Sequence, residues 1–110
     1  MITWKVETLD RRVEDELRAL DADLQARFFK IAELLMQHGP HAVREPYVKP
    51  LGSKLWEMRM KGKDKIARAI YLAAIGRRLV VVHVFVKKTQ KTPREAIETA
   101  IARAKEAGLL

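Results

Sequence analysis

The chain has no cysteine, which removes disulfides, zinc–thiolate sites, iron–sulfur clusters and thiol nucleophiles and leaves the fold independent of any oxidising compartment. Histidine is sparse too. His38 and His41 bracket Gly39-Pro40 and cannot form an i, i+3 pair on one helix, so neither a metal site nor a cofactor is expected. No apolar run approaches the roughly 20 residues of a membrane span, and Met1-Ile2-Thr3-Trp4-Lys5-Val6 lacks the basic-then-apolar order of a signal peptide. The expectation is a cytoplasmic protein with no membrane partner. A Gly-rich phosphate loop, a nucleophile elbow and a paired-carboxylate motif are also missing, which leaves NTPase, esterase and glycosidase readings without support.

Acidic residues are the scarcer sign, 14 Asp+Glu against 22 Lys+Arg, for a net charge of +8 over 110 residues. The imbalance is not uniform. Residues 1–50 hold 8 basic and 9 acidic side chains (net −1), whereas residues 51–110 hold 14 and 5 (net +9). A basic half of this kind suits nucleic acid or an acidic partner; the alternative is a solvated, lysine-rich surface. With 48% hydrophobic and 33% charged residues, one domain spanning residues 1–110 is expected.

Period-two alternation of Ile2, Trp4 and Val6 predicts a first strand. From Asp10, a candidate cap, Val13, Leu17 and Leu20 repeat at helical spacing. Asp21 is placed to cap a second helix with the stripe Leu24, Phe28, Ile31, Leu34 and Leu35, ending near His38 before Gly39-Pro40. These two read as an antiparallel hairpin. Residues 39–51, with Pro40, Pro46 and Pro50, read as a loop. Three strands in a meander follow at residues 55–60, 66–74 and 79–86. In the first of them Arg59 and Glu57 lie on the polar face, opposite Trp56, Met58 and Met60. Thr92-Pro93-Arg94-Glu95 combines a capping box with proline at the first helical position and opens a third helix in which Ile97, Ala100, Ile101 and Ala104 face inward. The fold class is α+β, an N-terminal strand and helical hairpin packed on a small, curved, antiparallel-rich sheet with a C-terminal helix.

The densest cationic element is Lys87-Lys88-Thr89-Gln90-Lys91, at the end of the last strand and just before the third helix. It reads either as a solvated strand end guarding against edge pairing or as a phosphate cradle aided by the N–H groups at the start of that helix. Arg59 could face the same place. If the Arg59 face is open, Ala67, Ala69 and Tyr71 would floor a shallow cleft, with Tyr71 offering a stacking ring; a core tyrosine is the alternative. Arg68 alternates to the other set and needs a carboxylate partner or an exposed sheet end. His83, inside a Val-rich strand, is either a satisfied, partly buried histidine or a candidate for acid–base work.

The helical hairpin ending in Gly39-Pro40, the segment Leu51-Gly52-Ser53-Lys54-Leu55-Trp56-Glu57-Met58-Arg59, the strand Arg68-Ala69-Ile70-Tyr71 and the stretch Phe85-Val86-Lys87-Lys88-Thr89-Gln90-Lys91-Thr92-Pro93 together resemble the RelE/ParE toxin superfamily. Within it, the HigB-like, phage-derived branch is most similar. The resemblance runs nearly end to end and implies a RelE-like fold and the toxin of a type II toxin–antitoxin pair. Such a toxin is a metal-independent, ribosome-dependent endoribonuclease that cuts translated mRNA and inhibits growth, silenced by a cognate helix-turn-helix antitoxin. The implied partners are that antitoxin, the ribosome and mRNA. By position, Arg59, Arg68, Lys87, Lys88 and Lys91 match the family's basic catalytic residues, and Lys54, Tyr71, His83, Thr89 and Gln90 complete the expected RNA-binding set. The tyrosine that RelE carries in its C-terminal segment has no counterpart here. Two other functions fit the same residues, a ParE-like gyrase poison and a non-catalytic RNA- or ribosome-binding module.

A lysine–arginine site suits metal-free RNA cleavage. The 2′-hydroxyl must lose a proton, the phosphorane's added negative charge must be stabilised, and the 5′-oxygen must be protonated as it leaves. Crowded cations lower the pKa of a neighbouring lysine, so one of Lys87, Lys88 and Lys91 can serve as the base.

Overall fold

The computed structural model describes residues 3–87 and 91–110. Its elements are β1 (Lys5–Thr8), α1 (Arg11–Arg18), α2 (Ala22–His38), β2 (Val48–Gly52), β3 (Leu55–Lys61), β4 (Ile66–Ala74), β5 (Arg78–Lys87) and α3 (Arg94–Glu106). The strands form one five-stranded sheet in the order β1-β5-β4-β3-β2, with β1 parallel to β5 and every other pair antiparallel. The meander expected from the sequence is therefore β3, β4 and β5.

Both faces of the sheet are covered. On one face the apolar stripes of α1 and α2, including Val13, Leu17, Leu24, Phe28, Ile31 and Leu35, pack on Met58, Met60, Ala67, Ala69, Tyr71, Val81 and Val84. On the other, the small side chains of Ala96, Ala100 and Ala104 let α3 lie close over Leu55, Ile70, Leu72, Val80 and Val82. Burial of both faces explains why β4 is closed to solvent over most of its length. It also corrects the reading of Ala67, Ala69 and Tyr71 as a cleft floor. They point toward α1 and α2, and Tyr71 is 1% exposed, so its ring is core and offers no surface to RNA.

One strand was not expected. Residues 48–51 fall in the proline-containing stretch expected to be a loop, yet with Gly52 they form the outermost strand, paired with β3. An edge strand tolerates Pro50, because its missing N–H would have faced solvent. The pairing continues beyond β2, with the Arg59 N–H donating to the Tyr47 carbonyl at 2.8 Å. Ser53 and Lys54, both at positive φ, make the two-residue turn into β3.

The helix ends follow the sequence in part. Asp10 caps α1, its side chain accepting from the N–H groups of Arg12 and Val13, and α2 stops at His38 with Gly39 at φ 82°. Asp21 precedes α2 but makes no capping hydrogen bond and instead lies 3.3 Å from Lys65 Nζ. Asp23 holds α2 to the β3–β4 turn by accepting the Lys63 N–H at 2.8 Å. Gly62 permits that approach, since a Cβ there would lie 2.6 Å from Asp23 Oδ2. At α3 the capping box does not form. Pro93 occupies the N-cap position, and the Thr92 hydroxyl is engaged elsewhere.

Candidate active site

The α3 layer covers only part of its face of the sheet. Beyond it, register sets Arg59 opposite Arg68 and Arg68 opposite Phe85, with Lys87 one step further along β5 opposite Ile66. Glu57 stands next to Arg59 on the same face and pairs across to Lys49 on β2. Backbone pairing thus gathers four cations, Lys49, Arg59, Arg68 and Lys87, around one carboxylate.

Glu57 is the centre of the cluster. It is fully buried, and Arg68, 2% exposed, forms a salt bridge to its Oε1. Lys49 Nζ lies 3.6 Å from the same oxygen, and the Thr92 hydroxyl donates to Oε2 at 2.5 Å. A buried carboxylate is tolerated because it is paired and hydrogen-bonded. These contacts also fix the Arg68 guanidinium and tie the chain entering α3 to the middle of β3.

Lys87 is buried at the end of β5. Burial lowers its pKa, and repulsion from Arg68, Lys49 and Arg59 lowers it further, to about 8. At pH 7 about a tenth of such lysines are neutral, whereas an ordinary lysine is almost wholly charged. Arg59 is half-buried, and its Nε is closed to solvent with no hydrogen-bond partner among the described residues. A cleft of about 180 Å³ opens beside this group, between the Glu45-Pro46 segment and β3, and is lined by Lys49, Glu57, Arg59 and Arg68. The lining carries three cations against two carboxylates, Glu57 and the exposed Glu45, and Lys87 adds positive charge nearby, so the cleft suits an anion such as a phosphodiester.

Of the residues singled out in the sequence, Arg59, Arg68 and Lys87 come together. Lys91 is exposed and stands immediately before Thr92, the residue that binds Glu57. Lys88, Thr89 and Gln90 lie outside the described residues. Lys54 sits at the tip of the β2–β3 hairpin, about 16 Å along the strand from Arg59. Tyr71 is on the opposite face of the sheet. His83 is engaged away from the cleft, with Nδ1 3.1 Å from Glu16 and its ring stacked on Phe85 at 5.1 Å. Glu16 also binds Arg103 at 2.9 Å and accepts the Val84 N–H at 3.1 Å, so this trio seals the part of β5 that β1 does not reach.

Sequence reasoning placed Glu57 on the polar face but gave it no role, and Lys49 was hidden in the presumed loop. Glu57 did carry a signal. It is one of only five acidic residues in a half-chain with 14 basic ones, and it alternates in phase with Arg59.

Comparison with curated proteins gives no match to this chain. Among solved structures, the chain is similar to one in the crystal structure of the archaeal RelE–RelB complex from Pyrococcus horikoshii OT3, at 21% identity and a TM-score of 0.57. The match covers 77% of this chain and 96% of that one and establishes a RelE-like fold. The family model for the phage-derived protein Gp49-like family matches residues 15–105, a span from α1 through α3 that includes every residue of the cleft. The chain, with its RelE-like fold, belongs to the phage-derived Gp49-like family.

Proposed function

We propose that this chain is the toxin of a type II toxin–antitoxin pair and that it cuts translated mRNA on the ribosome without a metal ion. The observation that carries the reading is Lys87, buried beside Arg68, Arg59 and Lys49, three cations that line an anion-sized cleft. Its neutral fraction accepts the proton of the 2′-hydroxyl. The resulting oxygen attacks phosphorus, and the charge gathering on the phosphorane is met by Arg59 and by Arg68, which Glu57 holds in place. The P–O5′ bond then breaks, and the leaving oxygen takes a proton from the Lys91 ammonium. The products are a 2′,3′-cyclic phosphate and a 5′-hydroxyl.

Arg59 and Arg68 suit the electrostatic task because guanidinium stays charged where lysine does not and presents several donors to phosphoryl oxygens. The basic second half, at +9, supplies a favourable field for ribosomal RNA as well as mRNA. A partner that silences the protein is a small cytoplasmic helix-turn-helix antitoxin, in keeping with the fold's likeness to a chain crystallised as a RelE–RelB complex.

The test is a brief induction of the chain in bacteria, with new 5′ ends mapped on one transcript carrying or lacking a working start codon. Cuts confined to the translated transcript are expected. Growth arrest without new ends would remove the nuclease reading and favour gyrase poisoning or passive ribosome binding.

A further inference from the structure

A second cavity, about 270 Å³, lies on the other side of Arg59. Its walls come from three elements: Arg27, Lys30 and Ile31 of α2, the Pro46-Tyr47 segment, and Arg59 and Lys61 at the end of β3. The interior is apolar. Ile31 is a buried floor, and Pro46 and Tyr47, a residue 47% exposed, form a side wall. The rim is cationic, with Arg27, Lys30, Lys61 and Arg59 and no carboxylate among the lining residues. Tyr47 is held in place through its backbone, whose carbonyl receives the Arg59 N–H.

An exposed aromatic ring in a pocket ringed by positive charge is what an unstacked nucleobase with its flanking phosphates needs. An apolar ligand has no use for four cations, and a bare anion has no use for the ring and the apolar floor. We infer that this cavity is a nucleobase subsite for single-stranded RNA, with the base of the nucleotide next to the scissile phosphate lying against Tyr47 and Arg27, Lys30 and Lys61 holding its flanking phosphates. Pro46 and Arg59 line both cavities, and the buried Nε of Arg59 has no described partner, so one guanidinium bridges the base subsite and the reacting phosphate. The placement of that phosphate rests on the function proposed above; the base subsite does not depend on cleavage.

The experiment is a titration of the purified protein with a short single-stranded RNA whose 2′-positions are methylated, so that it binds without being cut, followed by NMR at Tyr47 and by affinity. An abasic oligomer with the same number of phosphates is run in parallel. The expected result is a shift of the Tyr47 ring resonances, weaker binding of the abasic oligomer, and a loss of about 5- to 100-fold in RNA affinity for Tyr47→Ala. Tyr47→Phe should keep wild-type affinity, because the ring and not the hydroxyl makes the contact. Lys30→Glu, at an exposed position, should weaken both oligomers. Equal affinity for the RNA and the abasic oligomer, no response at Tyr47, or no binding at all would overturn the subsite. Base-dependent binding at Tyr47 in a protein that yields no mRNA ends would instead uphold the subsite and reject the nuclease reading.

Discussion

The Thr92 hydroxyl donates a 2.5 Å hydrogen bond to Glu57 Oε2, joining the residue that leads into α3 to the centre of β3. The bond sets where the chain enters α3 against the sheet, and so where Lys91, the residue just before Thr92, can reach. Thr92→Val removes the donor and leaves a buried carboxylate oxygen short of one partner. The variant should lose about 1–3 kcal/mol in urea denaturation. Its cleavage rate should fall as well, while Thr92→Ser keeps both.

Arg59 and Arg68 stand opposite each other but do different things. Arg68 is locked into a buried ion pair with Glu57, so Arg68→Ala strands a charge and should cost about 3–5 kcal/mol of stability. Arg59 forms no ion pair with a described carboxylate, so Arg59→Ala should unfold at nearly the wild-type urea concentration while slowing cleavage about 100- to 1,000-fold. Denaturation curves and cleavage rates on the two variants make the comparison.

Lys87 predicts a conflict between stability and activity. Its pKa in the folded protein, about 8, lies below the 10.5 of an ordinary lysine, so the unfolded chain binds the proton more tightly. Stability should therefore rise with pH between about 8 and 10.5, and the penalty is fully present at neutral pH. Lys87→Met should remove that dependence and stabilise the protein at pH 7 by on the order of 1–3 kcal/mol, while slowing cleavage severely. Urea melts of both proteins across this pH window provide the measurement.

Glu16, on the far side of β5, predicts a pH dependence of the same sign but in the acid range. Burial raises its pKa, but the hydrogen bonds from Arg103, the Val84 N–H and His83 together outweigh burial and hold it below the usual carboxylate value. Its contribution to stability should be present above the unfolded pKa and lost as pH falls through the folded one. Glu16→Gln should lose about 2 kcal/mol near neutral pH and show a shallower acid transition.

The sequence showed most of the architecture because hydrophobic period and turn chemistry agreed over residues 10–38 and 55–86. Where they conflicted, it misled. Pro50 argued against a strand, and only the tertiary context, an outermost position, makes β2 possible. Thr92 fitted a capping box, yet the buried Glu57 carboxylate is the stronger attraction for its hydroxyl. Alternation sorted β4 into two faces but could not say which one met α1 and α2, so Tyr71 was open to two readings and Arg68 lacked a partner. The partner, Glu57, lies on the neighbouring strand, and a pairing register is not visible in a single strand's sequence. The Tyr47 cavity escaped for a related reason, since α2 and the Pro46-Tyr47 segment meet only in the folded chain.

The most direct test of the proposed chemistry is the single-turnover rate of mRNA cleavage on programmed ribosomes, followed from about pH 6 to pH 9 for the wild type and for Lys87→Met. The account predicts a wild-type rate that climbs with pH, reaches half its plateau near 8 as Lys87 sheds its proton, and flattens above it, and a slow, pH-independent rate for the variant. A Lys87→Met protein that cuts at the wild-type rate with the same pH profile would contradict it.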